Sequence, residues 1–175
     1  MRNVFRISAF AESVQEKEHS AMNRKEVFDI TDPSRFSGEM TEYLYEKTSY
    51  GEDLSQLSES ELTVYFVEEL QNEVMNGGFD QYFYNSSGDH WENAITACEA
   101  IGAGQTADLL RKAAQAYGCG LPKNREEREK AIESQARNGY NEELAALDSI
   151  FYAYEENVDA LIFDYCQRHQ KMFFH

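Results

Sequence analysis

The chain has 175 residues, of which 42% are apolar and 13% aromatic, enough to pack one domain and too much for wholesale disorder. Acids outnumber bases 32 to 16, for a formal net charge of −16. That balance excludes direct binding to a nucleic-acid backbone, whose phosphates need Lys and Arg. No stretch approaches the roughly 18 uncharged apolar residues of a membrane span.

The first 35 residues are the least regular. Val4-Phe5-Arg6-Ile7 fits a short strand or an arm, with no apolar run of signal-peptide length. Residues 1–35 read as an N-terminal segment ahead of a helical acidic domain over 36–175. Helical periodicity dominates from Met40. Over Leu57–Asn76, Ser58 and Glu61 form an S-x-x-E capping box, and Leu62, Tyr65, Phe66, Leu70 and Val74 fall on one stripe. Gly77-Gly78 supplies a left-handed helix end, and Phe79–Tyr84 makes one or two further turns. Asp89 and Glu92 read as the N-cap pair of a helix that turns Trp91, Ala94, Ile95, Cys98 and Ile101 inward and stops at Gly102. Leu109, Leu110, Ala113, Ala114 and Tyr117 define the next helix. Arg125–Arg137 is highly charged with little to bury, and helices over Glu142–Tyr154 and Val158–His169 follow. The expectation is a mainly α, compact single-domain multi-helix fold.

The distribution of charge is more telling than its sum. Residues 48–110 hold twelve acids and no Lys or Arg, and 138–167 hold seven acids and no base. Between them, 111–137 has seven bases against four acids. A surface built for solubility interleaves the signs, because like charges at helical neighbour spacing repel. Base-free blocks point to a field aimed at a basic partner.

Helical angles of 100° per residue sort the acids. Glu69 and Glu73 lie at the edge of the Leu62/Phe66/Leu70 face, read as half-buried acceptors for backbone N–H groups around the glycine turn. Glu61 with Glu68, and Glu92 with Glu99, are pairs seven apart and read as solvent-facing. Glu39, Glu42 and Glu46 make a further stripe beside Lys47. Asp148 and Glu155 flank the Leu144/Phe151 seam, with Asp159 one turn on. Seven helical residues rise ~10.5 Å, close to the ~10.2 Å advance of three phosphates along one DNA strand. Carboxylates so spaced can stand where phosphates would.

Patterns that suggest enzymes are incomplete. Ser86, Ser87 and His90 lie near Asp80 and Asp89, yet the serines read as turn formers and Asp89 as a cap. Glu16-x-x-His19 has no second copy to complete a di-metal site, and Cys166 with His169 supplies two ligands where a site needs more. No phosphate-binding glycine loop occurs. Cys98, Cys119 and Cys166 form no CxxC and fit free thiols of a reducing cytoplasm. No cofactor and no metal are expected.

The run Glu73-Val74-Met75-Asn76-Gly77-Gly78-Phe79-Asp80-Gln81-Tyr82-Phe83-Tyr84-Asn85-Ser86-Ser87-Gly88 is distinctive. It resembles the core motif of a bacterial family of small, acidic, helical DNA-mimic proteins of the Neisseria type. Ala100-Ile101-Gly102-Ala103, Ala107-Asp108-Leu109-Leu110, Asn124-Arg125-Glu126-Glu127-Arg128 and Leu147-Asp148-Ser149-Ile150-Phe151-Tyr152 match in order, so the resemblance spans roughly residues 60–170. It implies a non-enzymatic α domain that dimerises, imitates duplex DNA and keeps a helix-turn-helix transcription factor off its operator. In the motif Glu73, Asn76, Gly77, Gly78, Phe79, Gln81 and Asn85 carry the fold rather than the mimicry. An excess of aromatics (Tyr43, Tyr45, Tyr50, Tyr152, Tyr154, Phe173, Phe174) also suggests a dimer. Two alternatives remain: an acidic inhibitor of another basic protein, such as a nuclease toxin or nucleoid protein, and a helical ligand-binding or enzyme module with its pocket near Asn76–Asn85.

Overall fold

The computed structural model describes residues 22–117, 121–138, 141–153 and 155–174. Their regular structure is nine α-helices: α1 Arg24–Phe28, α2 Pro33–Lys47, α3 Glu59–Tyr84, α4 Trp91–Ile101, α5 Gly104–Gln115, α6 Arg125–Asn138, α7 Glu142–Tyr152, α8 Val158–Arg168 and α9 Gln170–Phe173. The mainly α expectation stands. Val4–Ile7, Glu16, His19, Cys119 and Tyr154 lie outside the described residues. Among the described residues no helix is long and apolar enough to cross a membrane.

The axis of the fold is α3, on which α2, α4, α6 and α7 all pack. Ser58 and Glu61 close its start as the capping box that their spacing predicts. At Gly77 (φ −155°, ψ 24°) and Gly78 (φ 76°, ψ −178°) the helix kinks, and Phe79–Tyr84 resumes in a new direction. Gly78 has two reasons to be glycine: its positive φ, and a Cβ that would stand 2.6 Å from Asp148 Oδ2. The Phe79 N–H donates to Asp148 Oδ1 at 2.8 Å. A carboxylate from α7 thus caps the second half of α3.

The helical region begins earlier than its periodicity suggests. Asp32 caps α2 and Pro33 takes the first turn, where its missing N–H costs nothing. Val27, Phe28 and Ile30 are buried in the same core as the later helices. The Phe28 ring meets Phe36 and Phe173 edge-on at 5.5 and 5.4 Å. A division after residue 35 therefore falls inside α2. Phe173 is fully buried and leaves the set of surface aromatics, whereas Tyr50, Tyr152 and Phe174 are exposed.

Two local expectations are overturned. Asp89 is not an N-cap: Ser86–His90 forms a 3-10 turn, and α4 starts at Trp91 without a side-chain cap. The Asp89 carboxylate instead pairs with Arg125 and, at 2.5 Å, with Arg128. The charged helix α6 does have something to bury, because Arg128 is fully enclosed. Its Nε donates to Phe83 O at 2.6 Å, Nη1 to Lys123 O at 3.1 Å and Nη2 to Asn85 O at 3.3 Å. Phe83 O is one of the carbonyls that the end of α3 leaves without a helical donor.

Candidate functional site

Glu39, Glu42 and Glu46 lie along α2, with Glu46 exposed and the other two half-buried. Glu42 Oε1 accepts from the Tyr50 hydroxyl at 3.4 Å. Glu39 and Glu46 keep the seven-residue spacing, ~10.5 Å along the axis.

Glu61 and Glu68 do not face solvent. Glu61 is 1% exposed. Its two oxygens accept from Lys47 Nζ at 2.7 and 2.8 Å, and Oε2 also from the Ser58 N–H at 2.8 Å. Burial pushes its carboxyl up, but the Lys47 and Ser58 hydrogen bonds outweigh that and hold it below the ordinary value. Glu68 is buried, accepts from Ser37 Oγ, and is pushed up to about 7 by burial. The angular placement away from the Leu62/Phe66 stripe was sound, but α2 covers that side too. Ser60, Val64, Val67 and Gln71 share it and are buried. Two valines on a supposed solvent face were the available signal that α3 is enclosed on both sides.

Glu92 and Glu99 are exposed, yet each holds a base: Lys123 Nζ lies 2.5 Å from Glu92, and Arg111 pairs with Glu99. The bases missing from 48–110 are thus returned in space by the next segment. Asp148 is half-buried and engaged with Phe79, as described. Glu155 is exposed, while Asp159 accepts from Ser34 Oγ at 2.6 Å. Sequence reasoning passed over Glu156, which accepts from the N–H groups of Gln105 and Thr106 at 3.1 and 2.8 Å. The signal was negative: α5 opens after Ala103, which cannot cap it.

Around the glycine pair, Glu73 Oε2 accepts from Gln81 Nε2 at 2.7 Å and Asn85 Nδ2 at 2.9 Å. Asn76 Nδ2 donates to Gln81 Oε1 at 3.1 Å. The partners of Glu73 are side-chain amides rather than the expected backbone N–H groups.

Beside this network runs a cleft of about 400 Å³, bordered by Tyr45, Tyr50, Tyr65, Phe66, Glu69 and Glu73, with His90 and Arg125 further along. Its rings follow one another: Tyr50 to Tyr45 at 6.2 Å, Tyr45 to Tyr65 at 6.1 Å, Tyr65 to Phe66 at 5.9 Å and Phe66 to His90 at 5.2 Å. Asn72 Nδ2 donates to the Tyr45 hydroxyl at 3.1 Å. Burial pushes the Glu69 carboxyl up. Ser87 Oγ donates to Tyr82 O, and Asp89 is held by two arginines, so the serines, His90 and Asp89 are not aligned as a nucleophile, base and orienting acid. Among the described residues no three His, Cys, Asp or Glu side chains gather as a metal site. Cys98 and Cys166 are buried free thiols, with Cys98 pushed up to about 12 by burial.

Comparison with curated proteins gives no match, and neither does comparison with solved structures. A family match covers residues 55–169, described as DMP19-like protein. The span begins in the turn before α3 and takes in the glycine kink, the Glu73–Gln81–Asn85 network, buried Arg128 and Asp148. With well over half of its length so matched, the chain belongs to the DMP19-like protein family.

Proposed function

We propose that the protein is a non-enzymatic DNA mimic that covers the DNA-binding surface of a helix-turn-helix regulator and so keeps the regulator off its operator. Family membership supports this reading. The observation that carries it is the α2 stripe, where Glu39 and Glu46 stand seven residues apart and Lys47, the base that follows them, is taken up by Glu61. On this reading the leading phosphate-like stripe is Glu39, Glu42 and Glu46 on α2, joined by Glu155. Glu92 and Glu99 contribute by exchanging Lys123 and Arg111 for bases of the partner. Glu61, Glu68, Asp148 and Asp159 serve the fold. The protein acts in the cytoplasm, where its regulator meets DNA, and as a homodimer that offers two stripes to a partner reading half-sites one DNA turn apart. It needs no cofactor.

Capture from a lysate of the source cell identifies the regulator, and a titration with labelled operator then tests the mechanism. Increasing protein should release the operator competitively. The effect should weaken with salt, because opposed surface fields are screened within about 8–10 Å at physiological salt. A complex holding regulator, operator and this protein together, with operator affinity unchanged, overturns the proposal.

A further inference from the structure

The cleft bordered by Tyr45, Tyr50, Tyr65, Phe66, Glu69 and Glu73 is not used by a stripe of surface carboxylates, and its chemistry is different. Four aromatic rings stand in sequence along one side, each within 6.2 Å of the next. Three carboxylates, Glu69, Glu73 and Asp89, share that border. Aromatic faces and carboxylates in one recess favour a cation, through the ring quadrupole and through charge. The single cationic side chain at the border, Arg125, is already paired with Asp89.

Tyr50 is set for contact. It is 69% exposed, although its ring lies within reach of Tyr45. Ser49 and Tyr50 both adopt left-handed backbone (φ 53° and 57°), and Gly51 follows at φ 88°. Non-glycine residues seldom occupy that region. The strained turn holds an exposed ring at the mouth of the cleft. Tyr82, 1% exposed, also borders the cleft.

The geometry points to a guanidinium site: the cleft takes one arginine side chain of the basic partner, stacked on Tyr50 with Tyr45 and Tyr65 beside it and with Glu69 and Glu73 as counter-charges. This rests on the mimic reading and adds an anchor that phosphate imitation lacks. Arginine fits better than lysine because its planar, weakly hydrated cation stacks on rings while offering donors at its edge.

The test titrates the full-length protein with three blocked amino acids, acetyl-arginine, acetyl-lysine and acetyl-citrulline amides, following tyrosine ring resonances by NMR. The arginine compound should give saturable shifts at Tyr45, Tyr50 and Tyr65. The neutral citrulline isostere should bind about tenfold more weakly or worse, and Tyr50→Ala should weaken the arginine compound by about tenfold with an unchanged thermal melt. Equal binding of citrulline, or shifts confined to residues away from the cleft, overturns the site. Agmatine, a free guanidinium amine, binding more tightly than an arginine embedded in a short peptide overturns the partner side chain as occupant. Operator competition is read separately. If it persists in Tyr50→Ala at full strength, the cleft proposal falls while mimicry stands. If it is absent in the parent protein while arginine still binds the cleft, mimicry alone falls.

Discussion

Glu61 on α3 binds Lys47, the last residue of α2, through both carboxylate oxygens at 2.7 and 2.8 Å. Lys47 is the only base between Arg35 and Arg111, and it follows Glu46 directly. The bond ties down the cation that follows Glu46 at the end of the α2 stripe. On the proposed mimic reading, an acid that never reaches the partner thereby shapes the field the partner would meet.

Glu61→Gln should lower stability by about 1–3 kcal/mol, because a buried hydrogen-bonded charge pair is broken. It should also weaken regulator binding several-fold by releasing Lys47. Urea midpoints measure the first effect and operator competition the second. An unchanged midpoint contradicts the packing account.

Glu68 makes stability depend on pH. Its folded value, about 7, lies above the ordinary 4.5, so between those values the folded chain holds a proton that the unfolded chain has lost. Its contribution to stability should therefore be full below 4.5, fall as pH rises and be gone above 7, a loss of ~3 kcal/mol from this group alone. Glu68→Gln should flatten this slope. Urea unfolding at pH 5 and pH 8 would decide, and a parent protein more stable at pH 8 through this group refutes it.

The kink in α3 depends on Gly78 and Asp148. Gly78→Ala should cost about 1–3 kcal/mol through its positive φ and the clash with the carboxylate. Asp148→Ala removes the cap on Phe79 and should cost about 1–2 kcal/mol, with Asp148→Asn milder because its amide oxygen still accepts. Thermal unfolding of the three variants should show that order. Equal melts for Asp148→Ala and Asp148→Asn would remove the cap from the explanation.

Arg128→Met should be the most damaging single change in α6. It leaves Asp89 with one partner fewer and three carbonyl acceptors without their donor, a loss of about 3–5 kcal/mol. Arg128→Lys should not rescue it, since an ammonium cannot serve four separated acceptors from one plane. Denaturant unfolding with Arg125→Met as control measures the difference.

Charge reversal should separate the candidate stripes. Glu39→Lys with Glu46→Lys should reduce regulator affinity by about 1–3 kcal/mol, while Glu92→Lys with Glu99→Lys should do less, because those acids are already matched to Lys123 and Arg111. Far-UV circular dichroism should be unchanged in both. A larger effect from the second pair would move the mimic face to α4.

Local features of this chain were legible in its sequence: the Ser58/Glu61 capping box, the break at Gly77-Gly78 and the stop at Gly102, whose φ is 93°. These depend on residues within a turn of each other. What was hidden depends on distant chain. Glu61 and Glu68 are inside because α2 lies over them, and Arg128 is inside because Phe83, Asn85 and Asp89 converge on it from about 40 residues away. The acid-rich block looked unopposed along the sequence, whereas in space Arg111, Lys123 and Arg125 neutralise part of it. A helical wheel shows which acids share a side, but not which side another helix will cover.

The capping of Phe79 by Asp148 has a consequence for synthesis. The acceptor follows its donor by 69 residues, and a ribosome adding roughly 5–20 residues per second delivers it roughly 3–14 s later. Six residues of helix beyond a kink are too few to hold themselves in water. The segment Phe79–Tyr84 therefore waits, already emerged, with Phe79 and Phe83 unburied until the later helices arrive. During that interval the nascent chain presents an aromatic hexapeptide to the cell, which is where chaperone contact with this protein should concentrate.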